Sequence, residues 1–331
     1  MSKTPGAASF RTSAEAYNRH IGRYGSALAR ALIEIANVSV GQRALDVGCG
    51  PGALAAELCQ VLGSNGVAAI DPTAPFVEAC AQRLPGVDVR LATAEELPFP
   101  DDSFDVALSQ LAVNFMREPP AGVREMRRVT RPGGTVAAAV WDYAGEMTLL
   151  RRFWDAAVSL DPEAAESDEG RSMPYCTPDE LERLWREAGL QTPAVSARVV
   201  EAEYRDFDDL WTSLEHGSGP STAYAASLPA AHRAELRDEL RRRLGLGEDR
   251  FRLSARAWSV VGTRGLPPAN GLCEGCPTLS STRWTAAPST ARSSWSSTYR
   301  GCCTAQQARL ERPSSKSLAT DVHGVATHAA R

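Results

Sequence analysis

The 331-residue chain predicts an α/β domain: a seven-stranded, mostly parallel sheet with an antiparallel last strand and a helical substrate cover. Three observations carry that prediction. From residue 43 onward, short apolar runs alternate with longer stretches of helical period, the pattern of strands joined by right-handed helical crossovers. The early apolar runs are short and read as strands covered on both faces. The bulk composition is that of a folded globular chain, with 43% hydrophobic and 23% charged residues.

Ahead of the first strand, Leu28, Ala31, Leu32 and Ile35 fall at i, i+3, i+4 and i+7, an amphipathic helix able to lean on a sheet. The runs 43–47, 66–70, 87–91, 104–109 and 133–141 read as strands buried on both faces, and 52–64, 73–84 and 119–130 as the helices between them. After 141 the alternation loosens into a helical start at 147–160 and an acidic loop through Asp161, Glu163, Glu166, Asp168 and Glu169. Thr177-Pro178-Asp179-Glu180 then supplies an N-cap, a proline at N1 and a Glu at N3. Leu181, Leu184, Trp185 and Ala188 follow on one face, with Gly189 as the stop. A strand near 194–204, helices near 206–214 and 229–244, and an alternating strand over 251–262 complete the pattern, the last two strands forming an antiparallel edge.

The net charge of −4 argues against a nucleic-acid or anionic-membrane coat. Residues 271–331 hold seven Arg/Lys against three Asp/Glu, and 18 of these 61 residues are Ser or Thr. The domain is therefore expected over 1–264, with its core at 43–141 and its cover and closing strands at 142–264. Residues 265–331 are expected to be a disordered extension or an out-of-frame reading past the domain's end. Of the eight cysteines, Cys49, Cys59, Cys80 and Cys176 are scattered, and Cys273, Cys276, Cys302 and Cys303 lack the spacing and scaffold of a zinc site, so no metal is expected. No run approaches about 18 apolar residues and no apolar leader opens the chain, so the expectation is a cytoplasmic protein that does not span a membrane.

The sharpest motif is Leu45-Asp46-Val47-Gly48-Cys49-Gly50-Pro51-Gly52, at a strand-to-helix junction. Gly48 and Gly50 allow a tight turn and a ligand against backbone. They would also satisfy a dinucleotide pattern, but Asp46 stands at the strand tip, where it repels a pyrophosphate and suits a cation. Asp71 ends the second strand, 21 residues after Gly50, where a carboxylate accepts from both ribose hydroxyls. The loop over 93–105 places small and acidic residues before a Pro-Phe-Pro turn, a lining for adenine.

In this order and spacing the three segments resemble a class I S-adenosylmethionine-dependent methyltransferase of the small-molecule type, with its Rossmann-like sheet. The resemblance implies S-adenosylmethionine as cofactor, Gly48 and Gly50 against its methionine part, Asp46 neutralising its ammonium, Asp71 on the ribose, Ala94 and Glu95 beside the adenine, and Gln110 at the sulfonium. Thr93 stands where the family often has Asp, so either its hydroxyl accepts from the adenine amino group or Glu95 substitutes. Tyr17 and Arg23 match an N-terminal segment that folds over the cofactor. His216 is the catalytic candidate, a general base for a hydroxyl or acidic carbon, with His20 second. The implied partner is a small-molecule acceptor, with no nucleic acid and no membrane; the oligomeric state is not legible. The rival readings are an NAD-dependent oxidoreductase and a non-catalytic cofactor-binding protein.

Overall fold

The computed structural model describes residues 14–217, 219–247 and 249–266. Residues 267–331, with the tail's cysteines, therefore lie outside the described residues. Seven strands form one sheet in the order β3-β2-β1-β4-β5-β7-β6. They are β1 Ala44–Val47, β2 Val67–Asp71, β3 Asp88–Leu91, β4 Phe104–Gln110, β5 Thr130–Trp141, β6 Gln191–Tyr204 and β7 Phe251–Thr263. The first five pair in parallel, and β7 runs antiparallel to both β5 and β6.

Every residue of β1 and β2 is buried. Successive side chains point to opposite faces, so helices must cover both sides there. The strand β3 departs from expectation: it is the sheet edge, and Leu91 is 60% exposed. The signal is in the sequence: Asp88 and Arg90 alternate with Val87, Val89 and Leu91, the pattern of a strand that is not covered on both faces.

Helices α1 Ala14–Arg19 and α2 Gly25–Ile35 precede the sheet, and α3 Ala53–Leu62, α4 Ala74–Arg83 and α5 Pro119–Val129 form its crossovers. The expected face of α2 is realised in part: Leu28 and Leu32 are fully buried, Ala31 and Ile35 are half-buried, and Ala29 and Ile33 are buried beside them. The cover comprises α6 Thr148–Leu160, α7 Glu169–Ser172, α8 Pro178–Glu187, α9 Phe207–Glu215, α10 Pro220–Ser227 and α11 Ala230–Leu244. At α8 the Thr177 hydroxyl accepts from the Glu180 amide and donates to the Glu180 carboxylate, while the Trp185 indole donates to the Val136 carbonyl of β5 at 3.1 Å.

The acidic segment after α6 also differs from its reading as a loop. Residues Pro162–Ser167 wind into a 3-10 turn, Asp168 caps α7 through the Gly170 amide at 2.8 Å, and Asp168 and Glu169 are buried. Arg151 compensates Asp168 with a two-pronged contact of 3.1 and 2.6 Å.

Candidate active site

At the carboxyl end of β1 the chain reverses through Gly48 and Gly50, whose φ values of 78° and 51° suit glycine. The Gly48 and Cys49 amides both donate to the Ile70 carbonyl of β2 at 2.9 Å, tying the turn to its neighbour. A Cβ on Gly48 would lie 2.4 Å from the Ala112 Cβ, whereas one on Gly50 would meet nothing within 4 Å. Gly50 therefore leaves its backbone open to the cleft it borders.

Asp71 closes that turn from the other side. Its two oxygens accept from the Gly50 amide at 2.9 Å and the Thr73 amide at 2.8 Å. Burial still raises its carboxyl above the usual value, with those two amides opposing the rise. The Thr73 hydroxyl is a third donor, and the carboxyl's four lone pairs leave capacity for one more. Tyr17, from α1, leans on Phe76 with ring centres 5.7 Å apart, and burial together with the Asp71 and Asp46 charges pushes its hydroxyl up to about 12.

These residues border one cleft of about 570 Å³. Tyr17, Gly48, Gly50, Asp71, Thr93, Ala94, Glu95 and Gln110 all line it. Gln110 donates to the Gly25 carbonyl at 3.0 Å, and Glu95 accepts from the Glu118 amide at 3.1 Å. Asp46 lies beneath the turn and not on the wall: it is fully buried, and neither carboxyl oxygen has a well-formed hydrogen bond. Burial pushes it well above the carboxylate range, offset only in part by the nearby Ala55 amide.

A family model described as a methyltransferase domain matches residues 45–138, from the middle of β1 into β5. A Mycobacterium ulcerans protein named probable phthiotriol/phenolphthiotriol dimycocerosates methyltransferase 2 is 42% identical over 101 residues, 30% of this chain and 39% of that one. The demethylmenaquinone methyltransferase of Roseiflexus castenholzii is 32% identical over 161 residues, 44% of this chain and 67% of the enzyme. The malonyl-acyl carrier protein O-methyltransferase of Erwinia pyrifoliae is 30% identical over 200 residues, 56% of this chain and 74% of the enzyme. The chain belongs to the class I S-adenosylmethionine-dependent methyltransferases.

The cleft of this methyltransferase suits that cofactor. A buried, unpartnered carboxyl under a glycine turn favours a cation above it, and a pre-set carboxylate at the end of β2 offers its remaining lone pair to a diol. Two expected site residues lie elsewhere. Arg23 binds Asp209 through both guanidinium arms at 2.9 and 2.6 Å, donates to the Glu203 carbonyl and stacks on Tyr204, so its charge is already matched. His216 is the exposed C-cap of α9 and lines neither cavity at the site. Among the described residues no group of three potential metal ligands converges.

A smaller cavity of about 40 Å³ adjoins the cleft, sharing Tyr17, Leu111 and Phe115 with it. Its wall includes His20, Trp141, Tyr143, Leu150, Glu169, Met173 and Ser221. His20 is fully buried; its Nδ1 lies 3.4 Å from the Ser213 hydroxyl, and Nε2 has no partner. Burial brings its imidazole down to about 4, so it is neutral at pH 7. Glu169 accepts from the Trp154 indole, and burial raises its carboxyl to about 7. The sequence reads Glu169 as part of an acidic loop; in the structure it follows the Asp168 cap of α7 and is buried.

Proposed function

We propose that this methyltransferase transfers a methyl group from S-adenosylmethionine to a small-molecule acceptor by in-line displacement. The observation that carries this reading is the convergence of Gly48, Gly50, Asp71 and Thr93–Glu95 on one cleft of about 570 Å³. When bound, the cofactor supplies an electrophilic methyl on a sulfonium. In this reading Asp71 accepts from a ribose hydroxyl and Asp46 stabilises the ammonium from beneath the turn. Ala94 and Glu95 border the adenine, with Thr93 at the cleft's exposed margin. Gln110, bonded to the Gly25 carbonyl, ties the N-terminal segment to the end of β4, and Tyr17 borders both cavities.

The named acceptors of the relatives, a demethylmenaquinone and a malonyl group on acyl carrier protein, support a small acceptor or one delivered on a carrier. Among the described residues no helix is long and apolar enough to cross a membrane. The rival dehydrogenase reading meets Asp46, a buried carboxyl where a dinucleotide needs its pyrophosphate cradled.

Titration calorimetry with S-adenosylmethionine, S-adenosylhomocysteine and NAD tests the reading. The first two should bind with similar affinity and NAD far more weakly. NAD binding as tightly as S-adenosylmethionine would remove the assignment.

A further inference from the structure

We propose that Arg23 is a positioning residue of the methyl-donor site: its guanidinium fastens α1 to β6 and α9, holds Tyr17 in the cleft wall, and so sets how long the cofactor stays bound. The proposal rests on the larger cleft being that site. Of the described residues ahead of Gly48, Tyr17 alone borders the cleft, where its ring meets Phe76 of α4. It comes from a helix of six residues, whereas an isolated helix needs roughly 12–15 to persist in water. So short a helix does not fix its own place, and what fixes it lies in the next turn of chain.

That turn is a 3-10 segment, Ile21–Tyr24, which carries Arg23. The Arg23 Nε donates to the carbonyl of Arg19, the last residue of α1, at 2.6 Å. Its Nη1 donates to the Glu203 carbonyl of β6 at 3.1 Å and to Asp209 of α9 at 2.9 Å, and its Nη2 donates to the second Asp209 oxygen at 2.6 Å. The guanidinium carbon lies 4.7 Å from the centre of the Tyr204 ring. A rigid fork of donors therefore joins three elements at once, which a compact ammonium on a flexible stem does not do. Asp209 is itself fixed, standing in the first turn of α9, where its amide donates to the Asp206 cap at 2.7 Å. The paired side chains are 21% and 12% exposed, so solvent screens them less than a surface pair. His20 presses on the same helix, with Nδ1 3.4 Å from the Ser213 hydroxyl. The segment from Tyr17 to Gly25 is thus gripped by β6 and α9 at Arg23 and by Gln110 at Gly25, and Tyr17 is where it meets the cleft.

The test chases radiolabelled S-adenosylhomocysteine from the full chain with excess unlabelled ligand and reads the dissociation rate. Arg23→Met, which keeps an apolar stem on Tyr204, should release the ligand about tenfold faster than the wild type, the scale of a lost hydrogen bond between charged groups. Asp209→Asn should accelerate release in the same direction and carries the comparison if Arg23→Met does not fold. Tyr17→Ala should also accelerate it. Adding Arg23→Met to Tyr17→Ala should bring no further change, because the anchor acts through that one side chain. Arg237→Met, which takes an ion pair from Asp208, the neighbour of Asp209, should leave the rate unchanged. With fluorotyrosine in place of Tyr17, the fluorine resonance should move toward that of free fluorotyrosine in Arg23→Met. An unchanged rate in Arg23→Met or its Asp209→Asn substitute, additive effects with Tyr17→Ala, an unmoved resonance, or equal acceleration by Arg237→Met would overturn the proposal. Failure of S-adenosylhomocysteine to bind the wild type would instead overturn the reading of the larger cleft.

Discussion

Asp71 has two tasks that its two oxygens allow it to perform together. It holds the Gly50 and Thr73 amides, and it retains acceptor capacity toward the cleft. Asp71→Ala should weaken S-adenosylhomocysteine binding by about 1.5–3 kcal/mol, tenfold or more, in a calorimetric titration. Glu57→Ala, which removes an Arg30 partner on α3, should leave that affinity unchanged; equal losses would reduce Asp71 to a turn residue. The two glycines separate stability from binding in a similar way. Gly48→Ala drives a Cβ to 2.4 Å from Ala112 at a φ of 78° and should lower the unfolding midpoint and abolish binding. Gly50→Ala meets no neighbour within 4 Å, so its stability loss should stay near the ~1–2 kcal/mol of the left-handed conformation. Its methyl nevertheless stands in the cleft, and binding should be lost from a chain that still melts cooperatively.

Among the elements, α8 depends most visibly on local chemistry. Thr177→Ala removes both contacts to Glu180 and should cost about 1 kcal/mol, a fall of roughly 2–4 °C in melting temperature at this domain size. A change under half a degree would mean that the Trp185 anchor to β5 alone sets the helix. This helix was legible because capping is a short-range signal, and the parallel strands were legible from short apolar runs alternating with helical stretches. The glycine turn and Asp71 were legible for a related reason: a strand tip followed by a tight turn restricts which residues can stand there. The exposure of β3 was legible too, in the alternation of Asp88 and Arg90 with Val87, Val89 and Leu91, although its place at the sheet edge was not. The partner of Arg23 was not legible, because a guanidinium answers any carboxylate, and Asp209, 186 residues away, is the one the fold supplies. The choice between His20 and His216 turns on the last turn of α9, which sends Ser213 toward His20 and leaves His216 in solvent.

At the scale of the whole molecule, Glu169 and His20 give opposite slopes to stability against pH. Glu169 titrates near 7 in the fold and near 4.5 unfolded, so its contribution is full below about 4.5 and is lost as pH rises through 7. His20 titrates near 4 in the fold and near 6.5 unfolded; between those values the unfolded state binds the extra proton, and stability rises with pH. Between about pH 4.5 and 6.5 the two slopes oppose each other. Glu169→Gln removes the descending one, so denaturant unfolding should find the variant gaining on the wild type from pH 5 to pH 7 by on the order of 2–3 kcal/mol. A constant difference across that interval would show that Glu169 is charged in the fold at pH 5.

Because β7 lies between β5 and β6, neither strand has its final neighbour until Thr263 has been synthesised. The first five strands, which hold the glycine turn and Asp71, pair with each other well before that, so the cofactor half of the sheet can assemble on the ribosome while β5 still presents a bare margin. The strand made last acts as the keystone: until it is inserted between its two older neighbours, the growing polypeptide carries two open edges for chaperones to shield.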